Sequence, residues 1–119
     1  MKTFKYKSEH NLEQRRQESN RILKEYDNRV PIICESAPNS QLPSLKKVKY
    51  LVPKDMTICQ FQFIIRRNLD LEEKSALYLF TTKEKTLTGD RTVYEIYNNY
   101  KDKEDNFLYL YYASELTWG

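Results

Sequence analysis

Residues able to do covalent chemistry are scarce in this chain. Among its 119 residues there are two cysteines, Cys34 and Cys59, and one histidine, His10. Two thiols and one imidazole fall short of the four N or S ligands that a closed zinc site needs, and no metal is expected. No CxxC or CxxH spacing marks a redox or metal motif. Thiol catalysis by a Cys59–His10 pair is countable, but nothing in the spacing makes the two neighbours. Cysteines in so sparse a pattern suit a reducing compartment, where thiols stay free. The chain is therefore expected not to be an enzyme, and its chemistry should lie in recognition.

Recognition needs apolar and charged side chains held on a frame. The chain carries ten tyrosines and five phenylalanines, and 13% of it is aromatic, too much for a segment that cannot bury a core. Its two glycines and four prolines exclude linker-like composition. No apolar run approaches the roughly 18 residues of a membrane helix, and residues 1–5 show no signal-peptide hydrophobic region. One soluble, intracellular domain is expected. The net charge of +3 is local: residues 1–29 hold eight bases and five acids, and the other 90 residues hold twelve of each. This is weaker than the basic stripe of a nucleic-acid binder, and no nucleic-acid partner is expected. It suits a solvated helix face, or attraction to an acidic partner or membrane surface.

Capping patterns and alternation place the elements. Asn11 with Gln14, Thr57 with Gln60 and Thr92 with Glu95 have capping-box spacing. They predict helices over about 12–26, 58–68 and 93–100. The first has a thin apolar stripe and should dock on another body. In the second, Ile58, Phe61, Ile64 and Ile65 form a face ready to cross a sheet. Strands are predicted at 29–35, 48–52, 77–80 and 107–112, with Pro31 at a strand start or on an unpaired side. Period two puts Val48, Tyr50 and Val52 on one face, Lys49 and Leu51 on the other. The order of elements is that of the ubiquitin-like β-grasp fold, and patterning alone leaves ferredoxin-like arrangements open.

Several segments carry a stronger signal. Glu25-Tyr26-Asp27-Asn28-Arg29-Val30-Pro31-Ile32-Ile33-Cys34-Glu35 resembles the Y-x-(D/N)-R-(V/I)-P-(V/I)-I-x-E stretch of the autophagy ubiquitin-like modifiers, the GABARAP and microtubule-associated protein light chain 3 family. Lys49-Tyr50-Leu51-Val52-Pro53 resembles that family's K-(Y/F)-L-V-P strand. Gln60-Phe61 with Ile65-Arg66 resembles its central helix, and Phe107-Leu108-Tyr109 with Tyr112 its last strand. The resemblance runs from about Tyr6 to Gly119. It implies an α+β fold, a ubiquitin-like β-grasp with a four-stranded mixed sheet wrapped on a central helix. It also implies an organisation of an N-terminal helical extension (1–28), the β-grasp domain (29–112) and a flexible conjugation tail (113–119).

The family resemblance also implies a function. Such modifiers are joined through a C-terminal glycine to phosphatidylethanolamine by E1-like activating and E2-like conjugating enzymes. A cysteine protease processes or delipidates them. Here the last residue is Gly119, preceded by Trp118 where the family usually has Phe or Tyr. A terminus without a side chain can enter narrow active sites and expose its activated carbonyl. If Gly119 is the natural end, no protease is needed to expose it; if not, processing comes first. Phosphatidylethanolamine on Gly119 is the only bound group expected, with no other cofactor. Conjugation takes the protein, a monomer in solution, from the cytoplasm to autophagosomal or vacuolar membranes.

By the same resemblance, the strand 47–52 is an edge that pairs with aromatic-x-x-aliphatic peptides of cargo receptors. Glu18, Ile22, Pro31, Lys49, Leu51 and Phe107 map to the aromatic-side pocket. Tyr50, Val52, Pro53, Met56, Phe61, Ile64 and Ile65 map to the aliphatic side. Arg29 and Lys47, with Lys49, suit acidic residues flanking the peptide. Most of the aliphatic-side residues would be core in any such fold, so Ile22 and Leu51, apolar beside lysines, are the sharper tests. Asn68 stands where many relatives carry a base, and 81–91 lacks the family's Pro-Pro pair. Cys59 should be a small buried filler. The N-terminal helices could also meet tubulin or acidic lipid, and an adaptor that is never lipidated is the alternative reading.

Overall fold

Each helix in the computed structural model, which describes residues 4–38, 40–84 and 86–115, starts where a side-chain oxygen accepts its first N–H groups. The elements run α1 (Lys5–Glu9), α2 (Leu12–Glu25), β1 (Arg29–Ser36), β2 (Lys49–Pro53), α3 (Ile58–Asn68), β3 (Tyr78–Phe80), α4 (Val93–Tyr100) and β4 (Leu108–Ala113). Asn11 with Gln14 and Thr57 with Gln60 form reciprocal capping boxes for α2 and α3. At α4 Thr92 accepts the Glu95 N–H at 3.2 Å, but the Glu95 carboxylate turns to Arg91 at 2.6 Å, so the box is half made. α1 has no cap of its own. Its Lys5 and Tyr6 N–H groups each donate at 2.8 Å to the Glu35 carboxylate of β1.

The sheet order is β2-β1-β4-β3. β1 pairs antiparallel with β2, with Pro31 opposite Leu51, and parallel with β4 from Ile32 opposite Leu108. β3 pairs antiparallel with β4. Pro31 precedes the first β4 pair, so its missing N–H breaks no ladder bond.

Alternation along the strands divides the apolar residues between two cores. Val30, Ile32 and Cys34 of β1 and Leu108, Leu110 and Tyr112 of β4 face Ile58, Phe61 and Ile65 of α3. Ile33, Phe107, Tyr109 and Tyr111 face the other way, where Phe4, Tyr6 and Ile22 of the N-terminal helices cover them. Both faces of β4 are thereby covered, and all six of its residues are buried. Tyr50 and Val52 join the α3-side core, but Val48 packs with Leu51 on the other, unlike the alternation expected from the sequence. Val48 lies just before Lys49, the first β2 residue of the strand, and although its carbonyl still accepts from Cys34 N–H its side chain departs from the two-residue period.

α2 docks through Ser19 and Ile22 and a buried carboxylate. Asp105, fully buried, accepts from Arg15 Nε at 2.8 Å, from the Phe107 N–H at 2.9 Å and from the Tyr109 hydroxyl. Ser19 Oγ donates to the Asp105 carbonyl. A buried charge needs such partners, and among the described residues no buried side-chain polar atom lacks one. No helix among them is long and apolar enough to cross a membrane.

Candidate functional site

The β2 edge is defined by which of its backbone groups turn outward. Cys34 N–H donates to the Val48 carbonyl and Lys54 N–H to the Asn28 carbonyl, both at 2.9 Å. In an antiparallel pair the bonded positions alternate, so Tyr50 and Val52 direct their backbone groups to β1. The N–H and C=O of Lys49 and Leu51 therefore face away from the sheet, on a strand with a neighbour on one side only. Pro53 ends the edge, lacking an N–H and giving its carbonyl to Met56 N–H at 3.1 Å.

Apolar surface lies on both sides of this edge. On the α2 side, Ile22 and Phe107 are fully buried, Pro31 is buried and Leu51 is half-buried. On the α3 side, Phe61 and Ile65 are fully buried, Tyr50 and Val52 nearly so, while Pro53, Met56 and Ile64 keep partial exposure. The buried members are thus floors, and Leu51, Met56 and Ile64 are the surfaces within reach of a ligand. Ile22, expected to lie exposed beside lysines, is instead covered, because α2 lies flat on the sheet over Ile33 and Phe107.

Charge rims the edge. Lys49 Nζ donates to the Glu18 carboxylate, tying β2 to α2, and Arg21 binds the same carboxylate at 2.9 Å. Hydrogen bonds from Arg21 and Lys49 hold the Glu18 carboxyl down to about 2. At the start of β2, the Tyr50 hydroxyl donates to the Lys47 carbonyl at 2.7 Å and accepts from the Asn68 amide at 3.3 Å. Lys47 Nζ lies 5.2 Å from the Tyr50 ring centroid. At the other end, Arg29 Nη1 donates to the Leu51 carbonyl at 3.1 Å. Sequence reasoning saw Arg29 as a flanking charge and missed this contact, which only the strand register sets up.

Other expectations resolve differently. His10 stacks on Tyr6 with ring centroids 4.2 Å apart, on the α1 face, whereas Cys59 lies on α3 across the sheet. The two cannot act as a catalytic pair. Cys59 is exposed rather than a buried filler, because its place in the first turn of α3 faces Gly89 of the 81–92 connection, not the core. Cys34 is the buried thiol, and burial pushes its ionisation up. Among the described residues no cluster of three or more His, Cys, Asp or Glu could hold a metal. A cavity of about 570 Å³ between α1 and the β1–β2 connection, lined by Glu35, Lys46 and Tyr111 among others, contains none of the predicted site residues. Gly119 and Trp118 lie outside the described residues.

Comparison with known proteins agrees with this geometry. The family described as "Autophagy protein Atg8 ubiquitin like" matches residues 14–119. The chain is 41% identical to Autophagy-related protein 8 of Eremothecium gossypii over 114 residues, 96% of this chain and 93% of that one. It is 40% identical to the protein of that name from Mycosarcoma maydis, over 96% of this chain and 95% of that one. The crystal structure of Trypanosoma brucei ATG8 superposes with a TM-score of 0.91 at 38% identity, covering 99% of this chain and 100% of that one. Both the sequence and the β-grasp architecture place the chain with ubiquitin-like modifiers and not with enzymes. It belongs to the Atg8 family of ubiquitin-like autophagy proteins.

Proposed function

We propose that this autophagy protein is conjugated through Gly119 to phosphatidylethanolamine, and that on the autophagosomal membrane it docks aromatic-x-x-aliphatic peptides of cargo receptors and adaptors. One observation carries the docking half. The backbone N–H groups of β2 turned outward belong to Lys49 and Leu51, and apolar residues flank them on both faces of the sheet. An extended peptide that pairs with this edge sends alternate side chains to opposite faces. Its aromatic residue would meet Leu51 over Ile22 and Phe107, and its aliphatic residue would meet Met56 and Ile64 over Phe61. Lys49, Lys47 and Arg29 suit acidic flanks. Support for the conjugation half is the family itself and the Trp118-Gly119 end, which is similar to the family's aromatic–glycine terminus.

The partners that follow are E1-like and E2-like enzymes, a cysteine protease that exposes or releases the glycine, and motif-bearing receptors. A two-chain lipid gives stable anchoring where one chain does not, and many copies on one membrane raise avidity for multivalent receptors. The test joins two arms. In the first, the protein is incubated with a family activating enzyme, conjugating enzyme, ATP and phosphatidylethanolamine liposomes, beside a Gly119→Ala control and a known relative. A liposome-bound, faster-migrating product absent from the control is expected. If the relative is conjugated and this chain is not, the unlipidated adaptor reading takes over. In the second, a Trp-x-x-Leu peptide is titrated into labelled protein. The largest amide shifts are expected at Lys49, Leu51 and Ile64, and shifts confined to another surface would reject the groove.

A further inference from the structure

We propose that the cavity between α1 and the β1–β2 connection is a dock for the chain's own C-terminus, with the Trp118 side chain between its apolar walls and the Gly119 carboxylate at Lys46. The space, about 570 Å³, falls in the range of ligand pockets. Both of its walls are pinned by hydrogen bonds, so it is preformed. On one side the Glu35 carboxylate accepts from the N–H groups of Lys5 and Tyr6, each at 2.8 Å, which seats α1. On the other, the Tyr112 hydroxyl donates to the Pro43 carbonyl at 2.6 Å and accepts from the Leu45 N–H at 3.0 Å, which holds the connection.

The lining matches the tail in kind. Tyr6, Leu45, Val48 and Tyr111 supply aromatic and aliphatic surface, and ring-on-ring packing adds to area burial for an indole. Among the charges, Lys5 lies 3.9 Å from Glu9, and Glu35 is taken up by α1. Lys46 is exposed and makes no ion pair among the described residues. One unmatched cation beside apolar walls suits a ligand that carries a carboxylate next to an aromatic ring. Trp118-Gly119, with Gly119 the last residue, carries both.

Chain geometry brings the two together. Ser36 of β1 lies opposite Tyr112 of β4, and the Ala37 N–H continues the pairing to the Tyr112 carbonyl at 2.9 Å. Ser36, Tyr111 and Tyr112 all line the cavity, so the tail leaves the sheet from its wall. Trp118 lies five residues beyond Ala113, about 17 Å of chain when extended, which is ample for the indole to turn back. A segment tethered so closely docks at high effective concentration, and weak contacts then suffice. The carboxylate makes the dock selective for the free chain. Once Gly119 is joined to an amine its negative charge is gone, and Lys46 loses its partner. A docked tail also withholds Gly119 from an activating enzyme. That consequence rests on the conjugation reading above, whereas the docking itself does not.

Trp118 is the chain's one tryptophan, so its emission reads the tail directly. In the full chain the emission is expected to lie to the blue of that in urea, with slower acrylamide quenching. Emission and quenching equal to those in urea overturn the dock. A blue emission that turns red on dilution assigns the tail to a second copy and overturns docking within one chain. Trp118→Ala is expected to shift the amides of Ser36, Ser44, Lys46 and Val48, and shifts confined to another surface overturn this site. Lys46→Glu changes an exposed side chain and leaves both walls intact. This variant, and a chain ending in Gly119 carboxamide, should each lower the docked-to-free ratio roughly two- to fivefold, the scale of one exposed ion pair. No change in either overturns the carboxylate pairing. With family activating and conjugating enzymes, Lys46→Glu should be conjugated faster than wild type, and an equal rate beside a released tail overturns the withholding. If wild type is not conjugated where a known relative is, the conjugation reading falls, while emission and amide shifts still decide the dock.

Discussion

Glu18 joins two elements through one carboxylate, and its protonation reports on that joint. Arg21 on its own helix and Lys49 on β2 both donate to it, and these bonds, Arg21 first, hold its carboxyl at about 2 against an ordinary 4.5. A depressed carboxylate adds stability above its unfolded value, and that stability is lost as pH falls through the folded one. Thermal unfolding of wild type against Glu18→Gln should thus differ at neutral pH, converge below about 4.5 and coincide near 2. Solvent reaches all three side chains, so the difference should be about 0.2–1 kcal/mol. A gap that stayed constant down to pH 2 would mean the charge contributes nothing. At this scale the sequence was legible where chemistry repeats with a period. Lys49 and Leu51 separate from Tyr50 and Val52 because a strand alternates, whatever it packs on. Ile22 and Cys59 were misread because their exposure depends on what lies over them. Phe107 and the flat seat of α2 bury the one, and the turn of α3 away from the core exposes the other. Nothing local encodes either.

α1 shows where an element stops being readable. Five residues are too few to form a helix alone, since nucleation outweighs so few bonds, and Phe4 offers no side-chain cap. Its first two N–H groups are satisfied by Glu35, about thirty residues along the chain, and Phe4 stacks on Tyr111 with centroids 4.1 Å apart. α1 is therefore made by tertiary contact, whereas α2 and α3 announce themselves through capping boxes written within four residues. Glu35→Ala should cost about 0.5–2 kcal/mol, the usual worth of a lost cap, and should raise hydrogen exchange at Lys5 and Tyr6 while α2 stays protected. Unchanged exchange at those two amides would show that aromatic stacking alone seats the helix. α2 depends on a different anchor. Asp105→Ala removes the buried partner of Arg15 and should cost about 3–5 kcal/mol, because the arginine is left without its counter-charge. Chemical denaturation of the two variants therefore ranks the joints, with Asp105 well above Glu35. Equal losses would contradict the burial difference on which that ranking stands.

The whole molecule sets the proposed docking edge apart from the strand that precedes the proposed conjugation site. β2 is the outer strand and β4 lies beyond β1, so about 10 Å of sheet separates them at about 4.8 Å per strand. Six residues follow Ala113 up to Gly119, enough extended chain to reach about 20 Å from β4. If the conjugating enzymes do not use the β2 edge, losses at the two sites are expected to add. The sequence made this arrangement partly visible: Pro53 and the lysines marked β2 as an edge, and Gly119 marked the proposed conjugation site. Strand order was not readable from either, because the parallel β1–β4 pairing that sets the separation joins segments some 75 residues apart and leaves no local trace. Leu51→Ala should weaken the Trp-x-x-Leu peptide about tenfold or more, as loss of a central apolar contact does, and leave liposome conjugation within about twofold of wild type. Gly119→Ala should reverse the pattern, and the double variant should show both losses at their single-variant sizes. If Leu51→Ala instead slowed conjugation by the same factor as it weakened the peptide, the conjugating enzymes would be reading the groove. The two surfaces would then be one functional site in spite of the strand between them.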